Sequence, residues 1–369
     1  MPITSRFEDF PALILANDRI ETTVLLQGSS IVSIMLRDDE SRLNPLWNPQ
    51  QIARDHGEPS SLVFPRSPGM GHFVCVDGFG PPSEDERQAG MPMHGEAHQQ
   101  SYSVDHDSRE GDTQVVTLSA ELPLARERLV RTLRLVDGEN VLYVESELEN
   151  LLGFDRPVVW AEHATIGAPF LERGVTLVAL PAVRSMTRPY SEPASPSDPP
   201  HLLPPGADFV WPNAPTIHGT LFDIRAAGPS PSGDHTGHLI DPWQPLGFMT
   251  FLNPARRLLL GYVFQRDVFP FVQDWEYYPA NGHLARGLEF STQPWDCPRR
   301  ESIQTHAMFG APTYRWLPAR GRISAKFLVF WTRTPEGFSS IENVSMAEDT
   351  IRVADASGMV LSLKSSLGL

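Results

Sequence analysis

Apolar and polar positions alternate with a period of two along most of this chain, which is the signature of half-buried strands. Thr22 to Leu26 leads through Gln27-Gly28 into Ile31 to Met35, a strand, turn, strand unit. Gln114 to Leu118 and Arg128 to Val136 repeat the pattern. Asp137-Gly138-Glu139-Asn140 then predicts a hairpin turn into a return strand over Val141 to Leu148. Further strands are predicted over Val158 to Thr165, Leu246 to Leu252, Arg257 to Phe264, Gly287 to Thr292 and Ala325 to Thr332. Thr350 to Ala354 and Met359 to Leu363, joined by Asp355-Ala356-Ser357-Gly358, predict a closing hairpin at about 350–363. No stretch carries a long 3.6-residue period, so helices are expected only as short connections such as Asn48 to His56. No repeat of solenoid or propeller length is present.

Two stretches read as loops. Phe79 to Met93 combines glycine, proline and acidic residues, and 189–215 is rich in proline. The strand pattern is of one kind on both sides of the second loop. It is therefore expected to be an ordered excursion from a single domain spanning 1–369 rather than a linker. Long ordered loops on a β scaffold tend to line a ligand site.

Composition narrows the class further. The 369 residues include 35 prolines, about twice the usual share, and proline excludes a mainly helical chain. With 41% hydrophobic residues a large core is available. The fold class expected is all-β, a large antiparallel β-sandwich. The net charge of −15, from 30 Lys and Arg against 45 Asp and Glu, disfavours nucleic acid and anionic membrane as partners. No run approaches the roughly 18 apolar residues of a membrane span, and Phe10 to Ala16 is too short for a secretory signal. A cytoplasmic protein is the expectation. Cys75 and Cys297 are too few for a disulfide framework and could form one bridge or remain two thiols.

Three stretches put reactive side chains where strands meet loops. In Met93-His94-Gly95 the glycine lets the chain turn so that the imidazole can enter a cleft, although a surface histidine would read the same way. In Trp160-Ala161-Glu162-His163-Ala164-Thr165, alternation puts Trp160, Glu162 and Ala164 on one face and Ala161, His163 and Thr165 on the other. His163 thus shares its face with small residues, leaving room for a ligand; a core histidine is the alternative. Glu289 lies between Leu288 and Phe290, where a carboxylate needs a function or a partner such as Arg286. Upstream, Phe271 to Tyr278 alternates aromatic and polar groups, and Gln273 and Trp275 suit a sugar platform of stacking faces and hydroxyl partners. His94, His98, His163, His235 and His238 are all available as metal ligands, but Gly and Pro around His94 and His98 disfavour the helix on which their spacing would help. Neither a metal nor a cofactor is expected.

Taken in order, these stretches resemble the galactose mutarotase-like superfamily, which includes aldose 1-epimerases and sugar-phosphate epimerases. The resemblance runs over roughly residues 10 to 335. It rests on Gly28-x-x-Ile31-x-Ser33-Ile34, the His94-Gly95 loop, the strand pair through Asp137-Gly138-Glu139-Asn140 that ends in Leu148-Glu149-Asn150, the strand centred on His163, and Gly287-Leu288-Glu289-x-Ser291-Thr292. It implies a β-sandwich that binds a mono- or oligosaccharide on a concave sheet and interconverts sugar anomers without metal or cofactor. It further implies that His94 holds the sugar, that His163 is the general acid and that Glu289 is the general base. Asp241 or Asp274 would hold sugar hydroxyls, and Arg66 is the candidate for the family's early arginine. The mutarotases proper carry Glu-Thr-Gln in the late strand; aligning Thr292-Gln293 to that run would move the base position to Ser291, so the Glu-x-Ser-Thr register is preferred. A non-catalytic carbohydrate-binding protein and another sugar-processing enzyme on the same fold remain the alternatives.

Overall fold

The computed structural model describes residues 3–51, 69–189, 199–280 and 283–369. Two large antiparallel sheets pack face to face. The first has eleven strands in the order Ile3–Phe7, Phe10–Ala16, Ile20–Leu25, Ile31–Leu36, His72–Val76, Trp160–Gly167, Ala285–Ser291, Phe271–Tyr278, Ser232–Ile240, Ala182–Thr187 and Asp208–Phe209. The second has eight: Leu177–Ala179, Leu246–Asn253, Leu258–Gln265, Arg322–Arg333, Val141–Asn150, Glu127–Val136, Thr113–Leu122 and Ser103–Glu110. The fold is therefore the expected antiparallel β-sandwich.

One continuous core joins the sheets. Val74, Trp160, Ala164, Leu288, Phe290 and Val272 from the first meet Leu118, Leu133, Leu142, Tyr262, Phe264 and Phe327 from the second. Phe264 stacks on Phe290 with ring centroids 4.5 Å apart. Alternation then forces the neighbours of these residues (Phe73, His163, Glu289 and Gln273) onto the opposite face of the first sheet. The site is built on that face.

Charge is also buried between the sheets. Arg131 donates to Glu162 Oε1 at 2.8 Å, and His72 Nε2 lies 2.9 Å from Glu162 Oε2, all three with fully buried side chains. Burial raises the Glu162 carboxyl, but Arg131 and His72 outweigh it and carry it below the ordinary range. This pairing stitches the strand of His163 to the opposing sheet.

Several expectations are refined. The strand predicted from Val158 breaks at Val159, because Arg156–Val158 pairs with Arg315–Leu317 while Trp160–Gly167 enters the large sheet. The Phe79 to Met93 loop contains a short helix, Glu84–Gln88, started by a capping box between Ser83 and Glu86. The helix expected over Asn48 to His56 runs largely into residues outside the described set, as does part of the proline-rich loop. In the described part of that loop Asp208–Phe209 adds a short edge strand beside Ala182–Thr187. The closing hairpin gains a third strand, Asn343–Ala347, and the resulting small sheet packs Val344, Ile351, Val353 and Leu363 on Phe248, Leu252, Leu259 and Phe330 outside the eight-stranded sheet. Cys75 and Cys297 are buried free thiols. Among the described residues, no helix is long and apolar enough to cross a membrane.

Candidate functional site

Strand register puts the central residues in one row. Phe73 pairs with His163, His163 with Glu289, Glu289 with Gln273, and Gln273 with Gly237 across four neighbouring strand pairs. Side chains in such a row stand about 5 Å apart on one face. His163 Nε2 accordingly lies 3.1 Å from Glu289 Oε1. The contact is close but off hydrogen-bond alignment, and among the described residues Glu289 Oε1 takes no aligned hydrogen bond. On its other side Glu289 Oε2 accepts from the Gln273 amide at 2.9 Å. The next residues along the same face are Thr165, Gly287, Trp275 and His235.

Gly287 makes the Glu289 placement possible. A Cβ there would lie 2.4 Å from Glu289 Oε1, so the carboxyl folds into the space that glycine leaves. Phe73 stacks on the His163 ring at 4.3 Å, and Thr165 Oγ1 lies 3.1 Å from His163 Nδ1, fixing the ring between the two.

His94 arrives from the loop after His72–Val76. Its own φ is +63° and that of Gly95 is +75°; a Cβ on Gly95 would sit 2.2 Å from Val76 O, so only glycine lets the loop fold back on the strand. The Gly80 N–H donates to His94 Nδ1 at 3.1 Å. That bond requires the Nδ1 lone pair, so the ring is neutral with its proton on Nε2. The His94 and His163 rings lie 5.0 Å apart, nearly perpendicular.

Burial sets the charge states. It pushes His163 down to about 3, reinforced by the charges that His72 and His98 would carry. Burial also carries His94 well below its ordinary value, with His163 and His98 adding to the effect. Glu289 is raised well above the ordinary carboxyl range, first by burial and then by the negative charges of Asp296 and Asp274. Burial therefore favours the uncharged form of both groups, a neutral imidazole and a protonated carboxyl.

The rim is aromatic, with Trp275 and Tyr277 half-buried and Trp47 buried. Trp275 stacks alongside Tyr277 with centroids 6.0 Å apart, and Trp47 meets Trp275 edge-on at 6.1 Å. Next to them, Asp296 accepts from His235 Nδ1 at 2.9 Å and pairs with Arg188 Nε at 3.4 Å. Burial raises Asp296, but His235, Arg188 and His94 outweigh it and keep the carboxylate ionised.

Of the residues singled out in the sequence, His94, His163, Glu289, Gln273 and Trp275 converge on this face. Asp274 does not. It neighbours Gln273 on a strand, so it points the opposite way, where it is fully buried and accepts from Arg286 Nε at 2.9 Å. Arg286 is thus the partner of Asp274 and Glu276, not of Glu289. Asp241 lies just past the end of Ser232–Ile240 and accepts from the Trp243 N–H at 2.9 Å in a turn. Arg66 lies outside the described residues. His235, Asp296, Arg188, Phe73 and Trp47 join the face without having been assigned to it. The parity of His235 and Gly237 on one strand was readable, but the pairing that brings them beside Gln273 was not. Among the described residues, no group of three or more His, Cys, Asp or Glu could hold a metal ion. His98 Nε2 is 2.9 Å from Met93 O, and His238 is buried between Thr236 and Ser185.

No family model and no curated protein sequence matches the chain. Solved structures do. A protein from Synechocystis is 14% identical with a TM-score of 0.60, covering 89% of this chain and 97% of its own. A galactose mutarotase-like protein from Lactobacillus casei is 12% identical with a TM-score of 0.58, covering 87% and 100%. A galactose mutarotase related enzyme from Lactobacillus acidophilus is 12% identical with a TM-score of 0.56, covering 88% and 99%. With its eleven- and eight-stranded sheets packed as a sandwich, this chain has the galactose mutarotase-like fold.

Proposed function

We propose that this protein is an aldose 1-epimerase-like enzyme that binds a mono- or oligosaccharide and interconverts its anomers. The observation that carries the reading is the His163–Glu289 contact of 3.1 Å, buried beside an aromatic rim. Ring opening needs one group to take the proton of the anomeric hydroxyl while another gives a proton to the ring oxygen. A pair holding one proton between two atoms about 3 Å apart meets that need. In this reading the proton moves to His163, and Glu289 then acts as base and His163 as acid. Opening returns the proton to Glu289 and leaves His163 neutral. After the aldehyde turns, reclosure runs the same transfers backwards, so protons balance over the cycle. His94, fixed with its proton on Nε2, donates a hydrogen bond to a sugar oxygen, and Trp275 stacks on the ring. A cytoplasmic site of action accompanies this reading.

The experiment is NMR exchange spectroscopy between the α and β anomers of common hexoses. Wild type accelerates exchange, and Glu289→Gln loses about 10²- to 10⁴-fold of that acceleration. The active state carries one proton on the pair. Activity therefore falls as pH rises through the raised value of Glu289, which removes that proton, and falls again as pH drops toward about 3, where His163 gains a second. Undiminished exchange in Glu289→Gln excludes Glu289 as the base. Sugar binding by calorimetry without exchange makes the protein a carbohydrate-binding module instead.

A further inference from the structure

Gln273 reads at first as a sugar ligand, since it lies among aromatics on the cleft face. Its hydrogen bonds say otherwise. The backbone N–H of Asp296 donates to Gln273 Oε1. A backbone N–H can only donate, so the atom facing it must be the amide oxygen. The amide NH₂ is then aimed by necessity at Glu289, where it donates to Oε2 at 2.9 Å. Gln273 is 2% exposed, and both ends of its amide are engaged within the protein. The Asp296 peptide that holds it is anchored in turn, because the Asp296 carboxylate is gripped by His235 and Arg188.

This arrangement makes the two oxygens of Glu289 unequal. Oε2 is committed as an acceptor from Gln273. Oε1, turned over Gly287 toward His163, has no aligned hydrogen bond among the described residues. We infer that Gln273 is the positioning residue of the site: its amide commits Glu289 Oε2 as an acceptor, so that the proton is gained and lost at Oε1, the oxygen facing His163. The inference rests on the reading of Glu289 as the acid–base group. It takes Gln273 out of the set of groups that touch the sugar.

The test uses Gln273→Met, which keeps length and bulk and removes the amide. A positioning role predicts a fall in kcat of about 10- to 100-fold with KM changed less than about threefold. It also predicts that the alkaline limb of the pH profile moves up by about one unit, since the carboxylate loses a donor. A KM raised tenfold or more with kcat and the limb unchanged makes Gln273 a sugar ligand and overturns the inference, as does a variant identical to wild type. A second arm needs no activity. The ¹³C signal of the Glu289 carboxyl, assigned by its loss in Glu289→Gln, titrates at higher pH in Gln273→Met than in wild type; an unmoved titration overturns the inference even if the protein is not an epimerase. Should the methionine variant fail to fold, the wild-type side-chain amide of Gln273 decides. Its ¹⁵N–¹H signals shift with pH in step with Glu289, and pH-invariant signals refute the contact.

Discussion

The carboxyl of Glu289 occupies space that exists because residue 287 has no side chain. In Gly287→Ala the new methyl would meet Glu289 Oε1 at 2.4 Å and Thr165 Oγ1 at 3.4 Å. The nearer atom ends a side chain that can rotate, so the fold survives while the carboxyl swings off His163. The expected outcome is about a 100-fold loss of anomer exchange with a melting temperature within a few degrees of wild type. Full activity in that variant would show that the observed Glu289 position is not the working one. Parity along single strands was legible at this scale. The period of two put His163 with Ala161 and Thr165 and away from Glu162, as found. The same rule separates Gln273 from Asp274 and, over three residues, Glu289 from Arg286, so only one of each pair can share the face of His163. What the sequence could not supply is the residue across the strand. The pairings of His163 with Glu289 and of Glu289 with Gln273 span about 126 and 16 residues of chain and depend on register alone.

At the level of the elements, the strand Trp160–Gly167 works on both faces. Its outer side carries His163, and its core side carries Glu162, held by Arg131 from the opposing sheet, by His72 from the neighbouring strand and by Trp160 Nε1 at 3.2 Å. Two sheets are locked together directly beneath the His163–Glu289 contact. Removing Arg131 as Arg131→Met leaves Glu162 as a buried carboxylate short of its main counter-charge, which costs about 3–5 kcal/mol. Denaturant unfolding measures this, and the double variant Arg131→Met with Glu162→Gln recovers part of the loss because no buried charge remains. A single variant within about 1 kcal/mol of wild type would mean that the pair does not hold the sheets. Most strand positions were legible from alternation to within a few residues, including Val141–Asn150 after its Asp-Gly turn. The break at Val159 was not, since it depends on Arg156–Val158 leaving to pair with Arg315–Leu317. The helix Glu84–Gln88 was not legible, although Ser83 and Glu86 carry its capping signal, because a five-residue helix has no period to detect.

For the whole molecule, the sandwich was legible from strand number, spacing and proline content, but the strand order was not. His72–Val76 and Trp160–Gly167 are neighbours in the large sheet, and so are Trp160–Gly167 and Ala285–Ser291, although each pair is far apart in the chain. That order brings the His94 loop, the His163–Glu289 row and the Trp275 rim onto one face. The likeness to galactose mutarotase-like structures at 12% identity rests on this topology rather than on side chains. In the proposed function a sugar occupies this face of the eleven-stranded sheet, with its anomeric centre at the His163–Glu289 pair. A crystal structure of the protein soaked with a hexose tests it most directly. The anomeric hydroxyl and ring oxygen are expected within hydrogen-bond reach of Glu289 Oε1 and His163 Nε2, with the ring against Trp275. A sugar bound elsewhere, or one whose anomeric carbon points away from His163 and Glu289, would contradict it.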